Sequence, residues 1–146
     1  MSEELFTIGY EGYDIGNFIT HLKDNAVDCI LDIREIPLSR KYGFSKNALS
    51  ERLNRENIYY VHFGELGSPK PIRENLKANH DYSVFFKKMD KYLASRVDTI
   101  ESAYNYVKEN TCCLMCFEHL AATCHRKIVA QKIKELDGNG LQIRNI

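Results

Sequence analysis

An excess of charge of either sign is missing from this chain: 20 lysines and arginines balance 20 aspartates and glutamates. Gross-charge binding to nucleic acid or to a membrane surface is therefore disfavoured, which leaves room only for a local basic patch. No apolar run reaches transmembrane length. The acidic opening Met1-Ser2-Glu3-Glu4 reads as the approach to a strand and not as a signal peptide. The cysteines argue against a disulfide framework. Five is an odd count, and three of them cluster in one apparent strand, as expected in a reducing cytoplasm. Internal repeats and low-complexity linkers are absent. No cofactor motif is complete, so no cofactor is assigned.

What is present is ordinary for a globular protein, 44% hydrophobic and 27% charged residues, in a length that suits one domain over residues 1–146. The chain alternates between two periods. Short apolar runs at 5–9, 29–33, 58–63 and 112–117 read as strands, and 141–146 can add a closing one after the Gly138-Asn139-Gly140 turn. Helical spacing marks 14–25, with Asp14 as N-cap, and 45–57, with Ser45 as cap. It also marks 82–93, 97–109 and 125–136. Such alternation predicts an α/β fold, with a mostly parallel central sheet and helices on both faces, a Rossmann-like three-layer sandwich. Residues 64–80 read as irregular, and a connection of that length is usually functional or mobile.

Parallel strands place their C-terminal ends on one edge, where open α/β sheets bind ligands. Four polar loops should converge there. They carry Tyr10 and Glu11; Asp32, Arg34, Ser39 and Arg40; His62 and Glu65; and Cys116, Glu118, Cys124, His125 and Arg126. The last loop is the most informative. It joins a strand end to a helix start and holds an acid, two thiols, an imidazole and a guanidinium.

At these residues the chain resembles the uncharacterised proteins grouped as DUF488. The resemblance runs through Thr7-Ile8-Gly9-Tyr10, then Asp32-Ile33-Arg34 with Pro37 and Ser39, then Tyr60-Val61-His62 with Leu66-Gly67. It ends in Cys116-Phe117-Glu118 followed by Cys124-His125-Arg126. This C-x-E-x5-C-H-R motif is its most specific part. Members often carry Asp-Pro between the acid and the second cysteine, where this chain has Leu120-Ala121. The resemblance implies the fold and the position of the site, and it implies no reaction.

The chemistry follows from residue types. With Thr123 as N-cap, Cys124 falls in the first helical turn, where free amides and the helix dipole favour a bound anion or a reactive thiolate. Arg126 can then pair with phosphate or carboxylate, or make a structural ion pair with Asp32 or Glu118. Glu65 and Glu118 each follow a strand. In one cleft they can divide into acid and base, or cap and pair with arginines instead. Arg34, Arg40 and Lys41 beside Tyr42 and Phe44 can form a basic, aromatic lip, although a solvated loop is the commoner arrangement. His62 is a strand-end histidine or a proton shuttle. Cys113-Leu114-Met115-Cys116 has zinc-like spacing, but a strand points these two thiols to opposite faces, so no metal ligand is assigned.

The favoured reading is an enzyme for a small anionic, phosphate-bearing or nucleotide-like substrate. In it Glu118, Glu65 and Cys124 are the catalytic candidates. Tyr10, Glu11, Asp32, Arg34, Ser39, Arg40, His62, Cys116, His125 and Arg126 bind. The alternatives are a non-catalytic nucleotide- or nucleic-acid-binding module in the same pocket, and a thiol-dependent enzyme using Cys124.

Overall fold

A computed structural model of the chain describes residues 4–146. The acidic opening at 1–3 lies outside them. Five strands, β1 (Glu4–Gly9), β2 (Cys29–Asp32), β3 (Tyr59–His62), β4 (Cys112–Cys116) and β5 (Gln142–Asn145), form one sheet in the order β3-β2-β4-β1-β5. Every pairing is parallel. The inner strands are β1, β2 and β4, the apolar runs of the sequence. The edges β3 and β5 are four residues each and partly exposed, which limits pairing with other chains.

Because side chains alternate along a strand, the sheet buries two separate cores. Leu5, Leu31 and Leu114 face one, while Phe6, Ile8, Ile30, Cys113 and Met115 face the other. Helices α1 (Ile15–Asp24) and α2 (Lys46–Arg55) cover the second. In α1 the Asp14 carboxylate accepts from the Asn17 backbone N–H at 2.7 Å, closing an open helix end. Ile15, Phe18, Ile19 and Leu22 then fall on one buried face. Full burial of one such side chain is worth about 1.5–3 kcal/mol. Ser45 precedes α2 but does not cap it. Its hydroxyl instead closes the Ser39 turn, accepting from the Ser39 N–H and donating to the Ser39 carbonyl.

The first core is covered by α4 (Tyr82–Ala94), α5 (Val97–Glu109) and α6 (Arg126–Leu136), through Phe85, Met89 and Leu93, Ile100, Ala103 and Val107, and Val129, Ala130 and Ile133. The stretch 64–80 is not irregular. It holds a 3-10 turn at Gly64–Leu66 and the helix α3 (Lys70–Asn79). This helix buries no residue fully and rests on Ile72 and Leu76 alone, so its charged sequence concealed the helical period. Among the described residues no helix is long and apolar enough to cross a membrane.

This topology locates the crevice. Connections that move toward β3 use α1 and α2 on one face, and those that move toward β5 use the other face, as constant crossover handedness requires. Strand β4 therefore lies between β1 and β2 while its following loop departs to the opposite side. Loops diverge on both flanks of β4, and a cleft opens at its C-terminal end.

Candidate functional site

The registers bring Gly9 beside Cys116 and Asp32 beside Met115, so three strand ends meet at one edge. Pairing continues beyond the strands: the Tyr10 N–H donates to the Cys116 carbonyl and the Glu11 N–H to that of Phe117. A Cβ on Gly9 would lie on the Glu118 carbonyl, so only glycine lets the loop after β4 cross so close to β1. The Glu11 carboxylate holds the same loop by accepting from the His119 N–H at 3.1 Å.

The cleft at this edge has a volume of about 540 Å³. Its floor carries Tyr10, Arg34, Cys116, Glu118, Cys124 and His125. Asp32, fully buried behind it, grips Arg34: its two oxygens accept from Nε at 2.9 Å and Nη2 at 2.7 Å, and Oδ1 also accepts from the Arg34 backbone N–H. The Tyr60 hydroxyl donates to the same carboxylate. Burial opposes the Arg34 charge, and Asp32 more than offsets it, so the guanidinium is held well above its ordinary pKa. Arg34 Nη1 donates to the Phe44 carbonyl at 2.7 Å, and the Arg34 carbonyl contacts His62 Nε2 at 2.8 Å. The Tyr10 ring stacks on Phe44 at 4.5 Å and meets Phe117 edge-on.

The loop after β4 differs from the expectation at its helix start. Thr123 ends a 3-10 turn, Cys124 is extended, and α6 begins only at Arg126. The thiol nonetheless receives the first free amide. Burial alone would push the Cys124 thiol up. Hydrogen bonds from Cys116 and from the Arg126 backbone N–H more than reverse that, leaving it below its ordinary value. Cys116, also buried, is pushed well up and keeps its proton. His125 Nε2 lies 2.9 Å from the Ile33 carbonyl, which can only accept. That nitrogen therefore carries the hydrogen, and Nδ1 faces Cys124 Sγ at 3.5 Å. Glu118 accepts from the Thr123 hydroxyl, and burial raises its carboxyl pKa.

Several candidates fall elsewhere. Arg126 does not line the cleft. It is 1% exposed, and its donors are taken by Thr7 Oγ1, Cys116 Sγ and the Glu118 and His119 carbonyls, with neither Asp32 nor the Glu118 carboxylate as partner. Glu65 and Glu118 do not share a cleft. Glu65 lines a neighbouring hollow with His62, Tyr92 and Thr99, and it pairs with Thr99 and Arg96. The basic lip does not form, because Arg34 turns inward and Phe44 is buried, while Arg40 is exposed away from the cleft. Ser39 serves its own turn. The sequence reading missed the far wall, where Arg73, Leu76, Lys77 and His80 of the α3 end meet Tyr82 and Phe85. The spacing of Ile72 and Leu76 was the available signal. It also missed Thr7, a buried strand hydroxyl that accepts from Arg126 and donates to Asn145.

A family model described as a domain of unknown function, DUF488, matches residues 14–133. The chain belongs to the DUF488 family. The match takes in β2 to β4 and most of α6, and with them the floor of the cleft apart from Tyr10. No curated protein and no solved structure is significantly similar to this DUF488 chain.

Proposed function

We propose that this protein is an enzyme that uses Cys124 as a nucleophile on a small anionic, nucleotide-like substrate. The observation that carries this reading is the chain Cys124 Sγ, His125 Nδ1, His125 Nε2, Ile33 carbonyl, with contacts of 3.5 and 2.9 Å. A nucleophile, a base and a group that orients the base is the arrangement that activates a thiol. The base is oriented here by a backbone carbonyl, which fixes its tautomer without a titrating partner.

The cleft suits the substrate class. Arg34 is already paired with Asp32 and Arg73 with Glu35, which leaves Lys77 and His80 of the far wall as the groups that meet an anion. Ile36, Leu38 and Phe117 are exposed beside it, at 57%, 69% and 49%, and offer an apolar bed for a planar body. In the first step His125 takes the thiol proton and Sγ bonds to an electrophilic carbon. The leaving group departs with the proton that His125 returns. Glu118, facing the same cleft, serves as base for the water that releases the product.

Site-resolved alkylation tests the reading. Cys124 should label fastest of the five cysteines at neutral pH. His125→Ala should slow it about tenfold or more, as for a lost general base, and lower stability only by the one hydrogen bond lost at the Ile33 carbonyl, about 1 kcal/mol. Labelling of Cys124 only after unfolding would show a structural thiol and sink the proposal. If Cys124→Ser abolishes turnover of nucleotide-like substrates and leaves their binding intact, the reading holds. Full turnover in that variant would remove Cys124 from the chemistry, and binding without turnover in the wild type would favour a binding module instead.

A further inference from the structure

The spacing Cys113-Leu114-Met115-Cys116 looks like half a zinc site, and the strand splits it: Cys113 enters one core and Cys116 the other. The loop after β4 gives Cys116 different company. Cys116 Sγ, Cys124 Sγ and a ring nitrogen of His125 all lie within 4.8 Å of one another. A tetrahedral zinc with bonds of about 2.3 Å to sulfur and 2.0 Å to nitrogen holds those atoms about 3.5 Å apart. The Cys124 Sγ to His125 Nδ1 separation is 3.5 Å. The other ring nitrogen already donates to the Ile33 carbonyl, the outer contact that orients metal-bound imidazoles.

The charges around the sulfurs agree. Arg126 is buried, its Nη1 lies 3.2 Å from Cys116 Sγ, and none of its partners is a carboxylate. A buried cation calls for a counter-charge, and a sulfur that has given up its proton to a metal is the group in contact that can supply it. Two thiolates, Arg126, the nearby Glu118 carboxylate and a divalent cation sum to zero. The thiolate–imidazole donor set selects soft or borderline metals over magnesium and calcium.

We propose that Cys116, Cys124 and His125 bind a single zinc-class cation, with the fourth coordination position open to the cleft. Cation binding and thiol chemistry then compete, because the cation draws charge from the Cys124 thiolate and occupies the His125 nitrogen that would serve as base. This last consequence rests on the nucleophilic role proposed above, whereas the binding site does not.

The test is zinc titration of the full chain against a chromogenic chelator, with cobalt(II) as a spectroscopic substitute. The expected result is one zinc per chain, a thiolate-to-cobalt charge-transfer band and no competition by magnesium. Cys116→Ser and His125→Ala should each weaken binding about tenfold or more, while Cys113→Ala on the other sheet face should not. Circular dichroism and urea midpoints identify any variant that fails to fold. Binding that is equally weak in wild type and all three variants would overturn the site. Fast Cys124 labelling in metal-free protein that zinc does not slow would overturn it and leave the nucleophile standing. Tight zinc binding with an unreactive Cys124 in metal-free protein would establish the site and remove the nucleophile.

Discussion

Asp32→Asn is the substitution that most directly tests how the cleft is held open. The side chain is fully buried and accepts four hydrogen bonds, three from Arg34 and one from Tyr60. The amide keeps the shape but removes the charge, leaving a guanidinium that is only 7% exposed without its counter-ion. Breaking a buried pair in this way costs about 3–5 kcal/mol. That is a large part of the roughly 5–15 kcal/mol that stabilises a typical domain. With a urea slope near 2 kcal/mol per molar, the unfolding midpoint should fall by about 2 M at unchanged slope. A second readout is independent of stability. Burial first, then the hydrogen bond to Asp32, raises the Tyr60 phenol above its ordinary 10.0. The sign follows from the proton count. Above pH 10 the folded chain keeps a proton that the unfolded chain loses, so Tyr60 contributes stability below that pH and loses it as the pH rises further. In Asp32→Asn the phenolate absorbance should appear closer to pH 10. The double variant Asp32→Leu/Arg34→Met should recover much of the loss, because it removes both charges. A single-variant cost under about 1 kcal/mol, typical of exposed pairs, would refute the reasoning.

Other consequences follow from the loop after β4. Gly9→Ala drives a methyl into the Glu118 carbonyl and should cost about 2 kcal/mol or more, with altered Cys124 labelling, both measured on the purified variant. Arg126→Met leaves the His119 carbonyl without a donor and the Glu118 carbonyl with only the weak Cys116 thiol contact, and should cost about 3 kcal/mol, read by urea denaturation. The depressed Cys124 thiol makes stability rise with pH from its folded pKa up to the ordinary value of 9.0, because the unfolded chain holds the extra proton there. Cys124→Ser should flatten that rise in a series of urea midpoints across pH.

The layers were legible because strands buried on both faces read as continuous apolar runs, and the helices that cover them keep a 3.6-residue period. Strands β1, β2 and β4 and helices α1, α4 and α5 lie within a residue or two of the ends the sequence gives them. Helix α3 was not legible. It touches the core through Ile72 and Leu76 only, and a helix that buries so little leaves almost no apolar period. The convergence of four loops on one edge was visible, since it needs only parallel strands. Which groups face each other was not, because it depends on strand order. Interposing β4 between β1 and β2 is what sets Tyr10, Arg34 and Cys124 around one cleft and Glu65 in another.

Arg126 shows how a residue type can mislead when its neighbours are unknown. At a helix start beside two thiols it reads as an anion hook, and its side chain instead runs inward to Thr7 and the loop carbonyls. That burial has a chemical consequence. A guanidinium cannot shed its charge, so the site around it must accommodate a permanent cation. Burial works against the charge, and the adjoining Cys116 and Cys124 sulfurs hold it in place. The relation runs both ways: a fixed cation pulls both sulfurs toward their deprotonated forms, a pull that burial outweighs at Cys116 and does not at Cys124. The proposed thiolate nucleophile and the proposed thiolate metal ligand are therefore two uses of one electrostatic arrangement, and whether a cation holds Cys124 and His125 decides between them.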